Sequence, residues 1–272
     1  MTGPAAEQSP RAESPSGGGP EPLPINRTWL ETLGVVVAGA AILAVATGAG
    51  TLVGDALDWY ADIGTARAHA PGALQAYITL RLAVFLAAFQ LSTLVLTFAV
   101  ARLFRGDRVA FMALRRPSGG LREVARYAGL LIAMAVIYAS VVLLKDRNAL
   151  VGDVQLFADM LHSDTWWMIV LVATIGAPVA EETVFRGLMY GVLRESPVGV
   201  FGAAAITALF WATVHAQYSV YGILGIGLIG LYLAWVREQT GSLLTPMVCH
   251  AIYNGAIVLA MLLLPEHLVR LS

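Results

Sequence analysis

Seven stretches of this sequence are nearly uninterrupted apolar runs, about as long as a bilayer's hydrocarbon core is thick, and no other feature constrains the fold so tightly. They lie at Leu33 to Val53, Tyr77 to Phe104, Arg126 to Leu144, Trp166 to Leu193, Val198 to Tyr218, Tyr221 to Val236 and Leu243 to Leu264. A backbone in lipid must satisfy its own polar groups, and a helix does so within one segment. The expected fold is therefore all-α: a polytopic transmembrane helical bundle of about seven membrane helices, six to eight allowing for a miscount at the margins. Composition agrees. Of 272 residues, 58% are hydrophobic and 13% charged, against about 25% charged in an ordinary soluble domain, which excludes a water-soluble globule. A net charge of -1 provides no basic face for phosphates, so no nucleic-acid partner is expected. The single cysteine, Cys249, lies within an apolar run and has no second thiol in the chain to pair with.

Residues Met1 to Asn26 are rich in Pro, Gly, Ser and Glu, bury too little apolar surface to offset their ordering entropy, and read as a disordered tail. They lack the basic start and apolar run of a secretory leader, so the first membrane helix is expected to be retained. Basic residues set the orientation. The loop from Arg102 to Arg126 carries seven arginines; with Arg11, Arg27, Arg194 and Arg237 this puts eleven basic residues on one side. Only Arg67, Lys145, Arg147 and Arg270 fall on the other. The arginine loop and the N-terminus are thus expected on the cytoplasmic side, and the composition suggests a bacterial inner membrane. The segment Asn148 to Thr165 alternates apolar residues with acids and reads either as an amphipathic helix on the outer interface or as a plain loop.

Charge within a bilayer costs several kcal/mol unless paired or facing water, so each intramembrane polar residue is a functional candidate. The fourth run contains Glu181, Glu182 and Arg186, the fifth His215, the seventh His250 and Asn254; Arg81 and Gln90 in the second are weaker candidates. Glu182 and Arg186 stand four apart in the acid-first order that pairs best on a helix. Glu181, turned about 100° away, has no partner at that spacing and is the freer base. Gly176 and Pro178 precede the pair and are expected to kink the helix. His250 and Asn254, also four apart, face one cavity and can donate to an oxyanion. At 1.5 Å per residue, Glu181 lies ~20 Å, His215 ~27 Å, Asn254 ~18 Å and His250 ~12 Å from the arginine-rich side, so all four belong to the middle of the bilayer.

The run Glu181-Glu182-Thr183-Val184-Phe185-Arg186-Gly187 resembles the EExxxRG motif of the CAAX protease and bacteriocin-processing family, which includes the type II CAAX prenyl protease. His215 resembles its FxxxH motif, with Trp211 where phenylalanine is usual and Phe210 beside it, and His250 with Asn254 its HxxxN motif. The resemblance covers about Trp166 to Leu264; the first three runs match only as generic membrane helices. It divides the chain into a tail (1–26), N-terminal membrane helices with a basic cytoplasmic loop (27–165), a protease-like core (166–264) and a short C-terminal tail (265–272). It implies a membrane endopeptidase in which Glu181 and His215 activate water, His250 and Asn254 stabilise the oxyanion, and Glu182 and Arg186 are structural partners. It also leaves two mechanisms open. Glu181, His215 and His250 can be read as a two-histidine, one-carboxylate zinc site with an open position for water. Metal-free glutamate catalysis competes with it, and the lack of an HExxH-type pair tilts toward the latter. The implied partners are the lipid bilayer and a membrane-anchored peptide: a prenylated CAAX tail, a C-terminal sorting tail or another tethered segment. A proton-coupled transporter would keep similar residues at mid-depth, and a non-catalytic scaffold or immunity-type protein could share the fold.

Overall fold

The computed structural model describes residues 27–60, 72–104 and 108–263; the expected N-terminal and C-terminal tails lie outside these. The described chain is helical: α1 (Trp29–Tyr60), α2 (Ala73–Val100, with a last 3₁₀ turn to Leu103), the short α3 (Arg108–Met112), α4 (Gly120–Lys145), α5 (Arg147–Leu161), α6 (Trp166–Leu193), α7 (Gly199–Thr213), α8 (Val220–Thr240) and α9 (Leu244–Leu263). Six of them, α1, α2, α4, α6, α8 and α9, are long and apolar enough to cross a membrane. The protein is a polytopic integral membrane bundle.

The fifth expected span is where sequence and structure differ. Instead of running from Val198 to Tyr218, α7 has 15 residues and stops at Thr213, giving a length of about 22 Å against a hydrocarbon core of about 30 Å. His215 therefore lies just past the end of α7 and not within a span. Its carbonyls are closed locally: the Thr213 hydroxyl donates to Phe210 O at 2.7 Å, and His215 N–H to Ala212 O at 3.1 Å. Ser219 then caps α8, its Oγ accepting from Gly222 N–H at 3.1 Å.

Within lipid, helices associate through close packing of small residues more than through burial of apolar surface. The α1 face toward α2 shows this, with Gly50 and Gly54 buried one turn apart; a Cβ on Gly50 would come within 2.8 Å of the Phe85 ring, while Gly39 lets α1 close on Met189 of α6. The entry to α1 is a capping box, in which Glu31 N–H donates to Thr28 Oγ1 and Thr28 N–H to Glu31 Oε2. At the far end of the α1–α2 pair Arg81 bridges Asp55 and Asp58 at 3.1 and 2.9 Å. α6 is the centre of the molecule, with every side chain from Glu182 to Leu193 buried.

The arginine loop is only in part a surface loop. α3 and the turn after it push Phe111, Met112 and Ala113 into the end of the bundle, where Arg237 donates to Phe111 O at 3.0 Å and Ser242 Oγ to Arg115 O at 2.6 Å. A fork from Arg194 to Glu238, at 2.8 and 3.0 Å, ties α6 to α8 there. The segment after α4 is the helix α5, capped by Asp146, which accepts from Ala149 N–H at 3.0 Å. It packs against α4, α6, α8 and α9 at the opposite end.

Candidate functional site

Two π-helical stretches, Val172–Gly176 and Thr183–Met189, interrupt α6 on either side of its paired glutamates. The first answers to Pro178. Ala177 N–H already bonds Val172 O, five residues back; in that register the next carbonyl, Ala173 O, would need the N–H that Pro178 lacks. A side chain from another helix supplies it: Asn254 Nδ2 on α9 donates to Ala173 O at 2.8 Å. From α2, the buried Gln90 donates to the neighbouring Val172 O at 3.0 Å, and a Cβ on Gly176 would collide with Gln90 Oε1. Glycine and proline thus produce a π turn whose two loosened carbonyls are held by amides from α2 and α9.

The second stretch follows Glu182, which is fully buried. Arg186 Nη1 donates to Glu182 Oε1 at 2.9 Å and its Nη2 to Gly230 O on α8 at 3.1 Å. The guanidinium carbon lies 4.6 Å from the Trp211 ring centroid. Gly230 makes this approach possible, because a Cβ there would be 3.0 Å from Ala208 Cβ and 3.1 Å from Trp211 Cε3. The same Glu182 oxygen contacts His250 Nδ1 at 3.0 Å. A carboxylate only accepts, so His250 carries its proton on Nδ1 and turns Nε2 elsewhere.

Trp211 is the hub that sequence reading treats only as a substituted phenylalanine. Its indole N–H donates to Glu181 Oε2 at 2.7 Å, and its ring meets the His215 and His250 rings edge-on at 5.4 and 5.3 Å. Three of the four candidates from separate helices and turns therefore contact one buried side chain. Asn254 joins them on the His250 face of α9. His215 Nδ1 lies 2.8 Å from Trp211 O; a carbonyl only accepts, so Nδ1 holds the proton and Nε2 is the basic nitrogen. Glu181, His215 and Asn254 stay partly accessible, whereas His250 is 3% exposed.

Tyr218, three residues beyond His215, belongs to the same turn, and its ring stands 6.1 Å from the imidazole. Burial, with the carboxylates of Glu181 and Asp153 nearby, pushes its phenol up to about 12. The sequence carries no signal for this residue except its place beside His215. An apolar cleft of about 320 Å³, lined by Val53, Ala83, Ala87, Leu91, Met168 and Val172, opens between α1, α2 and the first π turn.

The donors do not fit the zinc site that the family resemblance allows. Among the described residues no three His, Cys, Asp or Glu side chains stand near enough to one point to hold a metal ion.

The Rce1-like family model, type II CAAX prenyl endopeptidase, matches residues 163–256. An Escherichia coli "Uncharacterized 24.3 kDa protein" is 36% identical over 137 residues, covering 48% of this chain and 62% of that protein. The "Putative membrane peptidase YdiL" of Bacillus subtilis (strain 168) is 26% identical over 95 residues, covering 35% of this chain and 38% of that one. The chain thus spans less than two thirds of either relative. No solved structure matches it. The matched segment holds both π turns, the Trp211 hub and all four candidate side chains, and through residues 163–256 the chain is similar to the Rce1-like family of type II CAAX prenyl endopeptidases.

Proposed function

We propose that this protein is a membrane endopeptidase that hydrolyses a peptide bond in a membrane-anchored substrate, using Glu181 as the base. The convergence of Glu181, His215 and His250 on Trp211, inside the segment shared with the family, carries the reading. The Trp211 indole holds one Glu181 oxygen and leaves the other for water. Glu181 takes a proton from that water, with His215 Nε2 accepting its second hydrogen bond, as the oxygen adds to the scissile carbonyl carbon. The displaced electron pair becomes an oxyanion. His250 and the second amide hydrogen of Asn254 stabilise it. Collapse restores the carbonyl and breaks the C–N bond, and the proton held on Glu181 leaves with the amine.

No step here is routed through a metal. The substrate class follows from the family and from the apolar cleft beside α6: a peptide carrying a lipid anchor, such as a prenylated CAAX tail, or a C-terminal sorting tail. The distribution of basic residues supports a cell-membrane protein with its N-terminus in the cytoplasm.

The test is cleavage of membrane-tethered reporter peptides by purified protein in detergent, with and without a strong chelator. Wild type is expected to cleave in both conditions and Glu181→Gln and His215→Ala to lose cleavage. Equal cleavage by these variants would remove the assigned base, and loss on chelation with rescue by zinc would replace the metal-free route.

A further inference from the structure

We propose that Tyr218 is a further catalytic residue, a neutral hydrogen-bond donor to the oxyanion formed on the scissile carbonyl. The inference rests on the peptidase reading above. Asn254 already gives one amide hydrogen to Ala173 O, so its second amide hydrogen and His250 are the oxyanion contacts assigned so far. Tyr218 stands beside His215, its ring 6.1 Å from the imidazole. It shares that residue's turn, its N–H donating to His215 O at 3.1 Å.

The turn is built to hold this side chain still. Asp153, on α5 and outside the segment matched by the family, accepts from Ser219 N–H at 2.6 Å and from the Ser219 hydroxyl at 2.7 Å. From α4 the Tyr138 hydroxyl donates to Tyr221 O at 2.6 Å. A Cβ on Gly222 would lie 2.8 Å from Tyr218 Cβ, so only glycine there lets the tyrosine seat against the start of α8. The hydroxyls of Tyr138, Tyr190 and Tyr232 each donate to an oxygen at 2.6 to 2.8 Å. That of Tyr218 has no hydrogen-bond partner among the described residues, although a half-buried phenol normally finds one. With its acidity suppressed to about 12 by burial, Glu181 and Asp153, it keeps its proton and acts only as a donor there, forming and breaking no covalent bond.

The experiment uses the full chain in detergent and the tethered reporter. Removing one oxyanion donor costs about 10²-fold in kcat, so Tyr218→Phe is expected to fall by about that factor with KM little changed. A fluorinated tyrosine at 218, isosteric but more acidic, is expected to bring the alkaline limb of kcat to lower pH, which a purely structural role would not do. Wild-type rates in Tyr218→Phe, or an unmoved alkaline limb, would overturn the proposal while leaving the peptidase reading intact. Failure of wild type itself to cleave any tethered peptide would overturn that reading and this one with it.

Discussion

At Glu182 a single carboxylate oxygen accepts from Arg186 Nη1 and from His250 Nδ1, in a cluster without solvent exposure at the glutamate or the arginine. The arginine's charge is tolerated there because three groups share it: Glu182, Gly230 O and the face of Trp211. Removing one partner of a buried pair leaves the other charge uncompensated at a cost of about 3–5 kcal/mol. Glu182→Gln keeps the shape and loses the charge, so it is expected to lower stability by about that amount, read as denaturant or thermal unfolding in detergent. A loss within the scatter of surface substitutions would mean that the tie is incidental. Glu181, one residue earlier, differs in that its charge is met by one indole and stays accessible, as a base must be.

α6 owes its shape to a mismatch between proline and the π register, and α9 repairs it through Asn254. This gives Asn254 a packing role separable from chemistry by a double-mutant cycle. Asn254→Ala leaves Ala173 O unpartnered and is expected to cost about 1–3 kcal/mol of stability. Pro178→Ala restores an N–H at the position five residues beyond Ala173, so in that background Asn254→Ala is expected to cost clearly less. Strict additivity of the two losses would show that the orphaned carbonyl is not what Asn254 serves. The short α7 belongs to the same scale. Its early stop delivers His215 and Tyr218 on a turn clamped by Asp153, where a full-length span would have carried them past the glutamates.

Across the whole molecule, the arginine-rich end is knitted by Arg194 with Glu238, Arg237 with Phe111 O and Arg27 with Glu195, while acids and the α5 layer mark the opposite end. α4 connects the two over 26 residues, about 39 Å of helix. Arg116 and Asp146 flank it and are exposed. In a Cys249→Ala background, Asp146→Cys is expected to react with a membrane-impermeant maleimide on intact cells and Arg116→Cys only after lysis. Labelling of both from one side would mean that α4 does not cross; the reverse order would invert the proposed orientation. Cys249 itself, buried with its thiol toward Val124 O, is expected to stay unlabelled in the native protein.

Hydropathy and intramembrane charge are local properties, each residue's transfer cost being its own, so the sequence by itself determined the membrane class, the helical fold and the short set of polar residues that lipid would not tolerate idle. The Glu182–Arg186 pair is legible for the same reason, since four residues on a helix are always neighbours. What only the tertiary structure decided are contacts between distant segments: Trp211 with Glu181 across 30 positions, Glu182 with His250 across 68, Asp153 with Ser219 across 66. The length of α7 is among them, because an apolar sequence continues through Val214 and the helix ends where side chains of its own last turn and the clamp from α5 satisfy the backbone better. So is the role of Asn254, for which carbonyl is orphaned depends on the hydrogen-bond register of α6, and no periodicity in α9 records the register of another helix.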